Sequence, residues 1–183
     1  MIKVGLTGNI ASGKSCVESI LKELGYNVYD ADSASRKILE ESLIIKQIFG
    51  TNKREELAKT VFSDKNKLKK LEDIIHPLIR QEIISFFDKN CHEKIVFASV
   101  PLLFEAGFED LFDKIIFVFA PDEVRLKRLI ERNSYTRDYA MLRINSQQSQ
   151  EEKIKRADFV INNDKELCEL KDLVKECLCF LTF

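Results

Sequence analysis

The stretch MIKVGLTGNIASGKS, Met1 to Ser15, decides how the rest of the chain is read. A run of apolar, strand-forming residues breaks into small, flexible ones and ends on a lysine. Gly8, Gly13, Lys14 and Ser15 stand at the spacing G-x-x-x-x-G-K-[ST], the signature of a phosphate-binding loop. Such a loop must turn its backbone N–H groups inward, and glycines at its ends permit the dihedrals and close approach this needs. A helix starting near Gly13 then points its positive end at the phosphates. Lys14 can reach the outer phosphates, and the Ser15 hydroxyl can ligate Mg²⁺. The whole loop, Gly8, Asn9, Ile10, Ala11, Ser12, Gly13, Lys14, Ser15 and Cys16, is therefore the expected nucleotide-binding segment. The competing explanation is a strand-to-helix turn that happens to contain glycines, but the motif fixes four positions and has the right flanks.

Outward from the loop, strand-like runs recur at Lys3–Leu6, Asn27–Tyr29, Lys94–Val100, Lys114–Ala120 and Phe159–Ile161, with helical periodicity between most of them. Two of these runs, IVFASV and IIFVFA, are apolar almost throughout, as parallel strands covered on both faces are. The fold class expected is α/β, a three-layer fold built on a parallel sheet. From about residue 33 to 90 no strand is apparent. Instead Leu68, Leu71, Ile74, Ile75, Leu78, Ile79, Ile83, Phe86 and Phe87 recur at three and four, so this segment reads as a helical insertion. The C-terminal stripe Leu167, Leu170, Val174, Leu178 and Leu181 reads as a core-packing helix. No internal repeat or low-complexity segment interrupts the pattern.

Composition excludes other classes. With 183 residues, 45% of them hydrophobic and 32% charged, the chain suits one soluble domain with a small insertion. No segment is apolar for long enough to span a bilayer. No leader is expected at the N-terminus, and a cytosolic protein is. A formal charge of -1 removes the electrostatic argument for general nucleic-acid binding, so no nucleic-acid or membrane partner is expected. Five cysteines without a C-x-x-C pair support neither a disulfide framework nor a zinc site. Oligomeric state is not fixed by the sequence, and a monomer is compatible with it.

Several phosphate-binding classes can be set aside. The chain has no Asp-x-x-Gly switch element and no guanine-reading Asn-Lys-x-Asp, and IVFASV ends in Ser99, Val100 and Pro101 rather than an acid. The acids lie in Asp30-Ala31-Asp32 at the end of the second strand, where parallel sheets deliver functional side chains. On an extended chain Asp30 and Asp32 point the same way, so one can accept a proton from an acceptor hydroxyl or hold Mg²⁺ through water. Alternatively, Asp32 or Ser33 caps a helix. Arg125, Arg128, Arg132, Arg137, Arg143 and Arg156 crowd the last third, as guanidinium groups would around a transferring phosphoryl group or in a closing lid. A solvated helix with Asp122 and Glu131 as partners is the plainer alternative.

With these elements stand His76-Pro77, PLLFE at Pro101–Glu105, Arg128-Leu129-x-x-Arg132, Arg143-Ile144-x-x-Gln147 and Ala157-Asp158-x-Val160-Ile161-x-Asn163, in that order. Together they make the chain resemble the dephospho-CoA kinase family nearly end to end. The resemblance implies a nucleoside-monophosphate-kinase-like fold with a core at about 1–32, 91–124 and 156–183, a helical substrate-binding insertion at about 33–90 and a lid at about 125–155. It implies transfer of the ATP γ-phosphate, with Mg²⁺, to the ribose 3′-hydroxyl of dephospho-coenzyme A. Asp32 is then the expected base, with Lys14 and Arg143 as its catalytic partners. Thr7, Arg36, His76, Arg80, Leu102 and Glu105 join Asp32 on the acceptor. Arg132 is expected near the ATP phosphates and Asn163 near the adenine. Taken alone, His76 before a proline could simply end a helical turn. Asn9 and Ala11 stand where the family often has glycines, which predicts a stiffer loop, and Arg125 stands where it often has glutamine. A kinase for another small acceptor and an ATP-dependent switch module remain open at this point.

Overall fold

The computed structural model describes residues 1–62 and 64–182. Strands β1 (Ile2–Gly8), β2 (Val28–Asp30), β3 (Ile95–Ser99), β4 (Lys114–Phe119) and β5 (Phe159–Asn162) form one sheet in the order β2-β3-β1-β4-β5, and the pairs β1 with β3, β1 with β4 and β4 with β5 are parallel. All five lie within a residue or two of the runs read from the sequence. The apolar character of β3 has its cause in burial, since all five of its residues are buried.

Helices α1 (Lys14–Glu23) and α9 (Leu167–Thr182) pack together over one face of the sheet. Val4, Leu6, Ile95, Phe97, Ile116, Val118 and Ile161 meet Val17, Ile20, Leu21, Leu170, Val174, Cys177 and Leu181 there. The strand residues alternate because successive side chains leave a strand on opposite faces. The other face is covered too: a Cβ added at Gly5 would come within 2.7 Å of Leu103 and 3.0 Å of Phe112. Of the C-terminal stripe, Leu170, Val174 and Leu181 are buried, whereas Leu167 stays 57% exposed. Three further helices, α6 (Asp122–Asn133), α7 (Arg137–Asn145) and α8 (Gln150–Ile154), lie between β4 and β5 in the chain. Leu126, Leu129, Ala140 and Ile144 make a small core between α6 and α7.

The chain divides into two compact units, residues 1–29 with 90–183, and residues 30–89. The second unit is wholly helical: α2 (Ala31–Glu41), α3 (Leu43–Phe49), α4 (Arg54–Phe62) and α5 (Lys65–Lys89). Helix α5 packs on α2 and α4. Of its expected apolar set, Leu71, Ile75, Ile79, Ile83 and Phe87 are buried, one per helical turn. Ser42 and Gly50 punctuate α3: the Ser42 hydroxyl accepts from the Ile45 N–H, and Gly50 closes the helix at φ 76°.

Two local expectations are corrected. Asp32 does not lie on extended chain beside Asp30. Asp30 ends β2 and caps α2, its carboxylate accepting from the N–H groups of Asp32 and Ser33 at 3.0 and 3.2 Å, so Asp32 sits in the first helical turn. Capping therefore falls to Asp30 rather than to Asp32 or Ser33. His76 does not end a turn either, because α5 runs on through Pro77 to Lys89. The ring of Pro77 costs one i→i−4 bond, and the buried stripe carries the helix past it.

Candidate active site

The phosphate-binding loop joins β1 to α1 and is shaped by two left-handed residues, Ala11 at φ 60° and Gly13 at φ 90°. Gly13 caps the helix without a side chain. A Cβ there would fall 1.9 Å from Asn163 Nδ2, so both its dihedral and its surroundings demand glycine. Cys16 is the first residue of α1 whose N–H reaches a backbone carbonyl, that of Gly13 at 2.9 Å. The N–H groups of Lys14 and Ser15 consequently face outward at the positive helix end. The side chains of Ser15 and Cys16 are both exposed.

Lys14 is held from behind. Its Nζ lies 2.7 Å from Glu18 Oε1, one helical turn on, and also hydrogen-bonds the Ser99 hydroxyl, which in turn donates to Glu18. Ser99 ends β3, where the sequence offers no acid; the acid is supplied by Glu18 instead. Only 13% and 11% of the Lys14 and Glu18 side chains are exposed. Sequence reasoning passes over Glu18, although its i,i+4 spacing from Lys14 is the available signal.

The loop carbonyls are read by side chains from distant segments. Arg125 donates from Nε to the Ile10 carbonyl at 3.0 Å and pairs with Asp122 at 3.0 Å. Arg128 reaches the Ala11 and Ser12 carbonyls at 3.3 and 3.2 Å and the Asn163 carbonyl at 3.0 Å. Asn163 donates its own amide to the Ser12 carbonyl at 2.7 Å. Gln147 Oε1 accepts from the Ile10 N–H at 2.7 Å. The arginine cluster thus divides. Arg125, 1% exposed, and Arg128 brace the loop rather than standing as mobile groups around a phosphate. Burial lowers the Arg125 pKa, with Asp122 and Glu151 opposing the shift, yet a guanidinium stays charged. Its Nη2 and Gln150 Oε1 find no partner among the described residues, and both residues line a polar pocket of about 250 Å³. Arg132 is exposed and donates to Asn133 at 2.9 Å. Arg143 is half-buried on α7 and pairs with no carboxylate among the described residues.

Thr7 is buried at the end of β1, its hydroxyl donating to the Pro101 carbonyl at 3.2 Å. In the PLLFE segment Leu102 is 44% exposed, and Glu105 pairs with Lys153. Asn9 is buried, its Nδ2 donating to the Gln148 carbonyl at 3.0 Å. The structure thus gathers Thr7, Asn9 to Cys16, Leu102, Glu105, Arg132, Arg143 and Asn163 in the sheet-containing unit. Asp32, Arg36, His76 and Arg80 belong to the helical unit, on α2 and α5. Asp32 is exposed, and Arg80 is half-buried. No cluster of three or more His, Cys, Asp and Glu able to hold a metal occurs among the described residues.

Several solved structures share this fold. A shikimate kinase from Acinetobacter baumannii superposes with TM-score 0.58 at 14% identity, covering 100% of this chain and 93% of that one, a likeness of fold alone. Nearer is the dephospho-CoA kinase from Campylobacter jejuni, TM-score 0.75 at 32% identity over 97% of this chain and 95% of that one. Curated dephospho-CoA kinases from Listeria monocytogenes and Fusobacterium nucleatum are each 42% identical, covering 90% and 94% of this chain and 89% and 93% of theirs. The family model described as dephospho-CoA kinase matches residues 2–169. That match takes in the loop, Glu18, the PLLFE segment, Arg143 and Asn163 together, and the chain belongs to the dephospho-CoA kinase family.

Proposed function

We propose that this protein transfers the γ-phosphoryl group of ATP to the 3′-hydroxyl of the ribose in dephospho-coenzyme A, giving coenzyme A and ADP in the last step of coenzyme A synthesis. The observation that carries this reading is the family match over residues 2–169, on a chain whose loop has the glycine, lysine and outward N–H groups that a polyphosphate needs. A kinase for a different small acceptor, or a switch module, has no comparable support.

Transfer of this kind depends on positioning and electrostatic stabilisation more than on covalent chemistry by the protein. The N–H groups at Lys14 and Ser15 bind phosphate oxygens. Lys14, braced by Glu18 and Ser99, presents its ammonium to the outer phosphates. Arg143, with no carboxylate to satisfy it, and exposed Arg132 supply charge from the stretch 125–155, which acts as a lid. The Ser15 hydroxyl would be the protein's ligand for Mg²⁺, which when bound would supply neutralisation of phosphate charge. Asp32 accepts the proton of the attacking hydroxyl. Its neighbour Asp30 caps α2 through two helix N–H groups, and Asp32 stands exposed in the first turn of that helix. Arg36, His76, Arg80, Thr7, Leu102 and Glu105 are the residues assigned to acceptor binding. Free thiols at exposed Cys16, Cys91, Cys168 and Cys179 suit a reducing cytoplasm.

The test is ADP formation from Mg·ATP by the purified protein with dephospho-coenzyme A, with adenosine monophosphate and with no acceptor. Turnover dependent on dephospho-coenzyme A, with product phosphorylated at the ribose 3′ position, is expected. ADP release without an acceptor, or preference for the other one, refutes the assignment.

A further inference from the structure

Lys153, on the short helix α8, is 1% exposed, and no role assigned above uses it. A buried ammonium is costly unless paired and hydrogen-bonded, so its partners show what holds it there. Its Nζ donates to Asn9 Oδ1 at 2.8 Å and pairs with the Glu105 carboxylate. Asn9 lies in the phosphate-binding loop, and its amide is fixed at both ends, because Nδ2 donates to the Gln148 carbonyl at 3.0 Å. Glu105 closes the PLLFE segment, and its side chain keeps 22% exposure. One buried cation therefore ties Asn9 of the nucleotide loop to a carboxylate assigned to the acceptor. These residues stand 144 and 48 positions from Lys153 in sequence.

We propose that Lys153 is a positioning residue that sets the Glu105 carboxylate and the Asn9 amide for the reaction, acting on acceptor binding through Glu105. The inference rests on the reading of Glu105 as an acceptor-side group. The ion pair restricts the rotamers of Glu105, so the carboxylate meets the acceptor in one orientation rather than several. On the other side it orders Asn9 and the turn into Ile10, whose N–H is capped by Gln147.

Lys153→Met removes the charge while keeping most of the side-chain volume. With dephospho-coenzyme A as titrant, and below the melting temperature of each variant, its affinity should fall about ten-fold or more, the scale seen when a supporting hydrogen-bonded partner is lost. In a Glu105→Gln background the same change should cost less than two-fold further, because the route through Glu105 is already gone. A ten-fold loss in both backgrounds overturns that route. An acceptor affinity within two-fold of the parent, with only a lower melting temperature, makes the lysine a structural ion pair and overturns the proposal. Should Lys153→Met not fold, Lys153→Gln, which retains a donor, is titrated in both backgrounds in its place, and the same two results overturn the proposal. Failure of the functional reading is separately visible, since the parent protein would then neither bind nor phosphorylate dephospho-coenzyme A. The tie itself is still read in that case by the Asn9 side-chain amide resonance, which should shift in Lys153→Met and would refute the contact by staying put.

Discussion

Replacing Gly13 with alanine puts the geometry of the phosphate-binding loop to a quantitative test. At φ 90° an L-residue pays about 1–2 kcal/mol for the left-handed conformation. The new methyl would also sit 1.9 Å from Asn163 Nδ2 and 3.2 Å from its Cγ, so the Asn163 amide must swing away from the Ser12 carbonyl it reaches at 2.7 Å. Loss of a buried hydrogen bond with a group left unsatisfied costs about 1–3 kcal/mol. The smaller entropy of an unfolded alanine returns about 0.4–1 kcal/mol. The net loss is about 1–4.6 kcal/mol, and with roughly 2–4 °C per kcal/mol for a chain of this size the melting temperature should fall by roughly 2–18 °C. Urea unfolding of four proteins reads this out: parent, Gly13→Ala, Asn163→Gly and the double variant. With Asn163 reduced to glycine, the next neighbour of the methyl is Arg128 Nη1 at 3.5 Å, an ordinary contact, so the alanine should then cost only its dihedral. The coupling expected between the sites is therefore about 1–3 kcal/mol. Equal costs of Gly13→Ala in both backgrounds would refute the steric argument, and a cost under about 0.5 kcal/mol in the parent would refute the dihedral argument as well.

Asp32→Asn should lower turnover by roughly 10²- to 10⁴-fold while ATP affinity changes little, measured by steady-state kinetics beside equilibrium nucleotide titration; near-normal turnover takes the base role from Asp32. Burial raises the Cys177 thiol from 9.0 to about 12, so iodoacetamide at pH 8.5 should label the exposed Cys16, Cys91, Cys168 and Cys179 and spare Cys177 until the protein unfolds. The sign for stability follows from the raised value: the contribution of Cys177 is fully present below about pH 9 and is lost as pH climbs from there towards 12, which urea midpoints of the parent and Cys177→Ala across that window should show.

What the sequence made legible was periodic or locally chemical. Apolar runs at β3 and β4 read correctly because parallel strands under two helical layers have no wet face, so every position is selected for burial. The α5 stripe was readable for the same reason in another period. Gly13 was legible because the motif and the dihedral requirement coincide at one residue. The start of α2 resists such reading because Asp30-Ala31-Asp32 carries two residues that can each cap, and only the structure shows that Asp30 keeps its carboxylate for the helix while Asp32 enters the first turn. Likewise, a histidine before a proline looks like an ending, yet helix α5 tolerates Pro77 because Leu71, Ile75, Ile79, Ile83 and Phe87 supply packing on both sides of it.

The bracing of the loop could not be read at all, for a physical reason. Arg125, Arg128, Gln147, Lys153 and Asn163 meet backbone or amide groups of residues 9 to 12, and backbone groups carry no sequence signature, so no pattern of residue types marks the partners. The charges even mislead, because arginines and a lysine in a polar helical stretch look like a solvated surface until burial is known. Burial also gives them their use. An exposed guanidinium would move with solvent, whereas Arg125, surrounded and tied at Nε and Nη1 to Ile10 and Asp122, fixes a carbonyl of the loop. A loop with alanine at φ 60° and asparagine where glycine would be freer is held in a costly shape by these contacts, which act only on the folded chain. Its stiffness belongs to the packing of α6, α7 and α8 around it, so a substitution in those helices should loosen the loop without altering any residue of it.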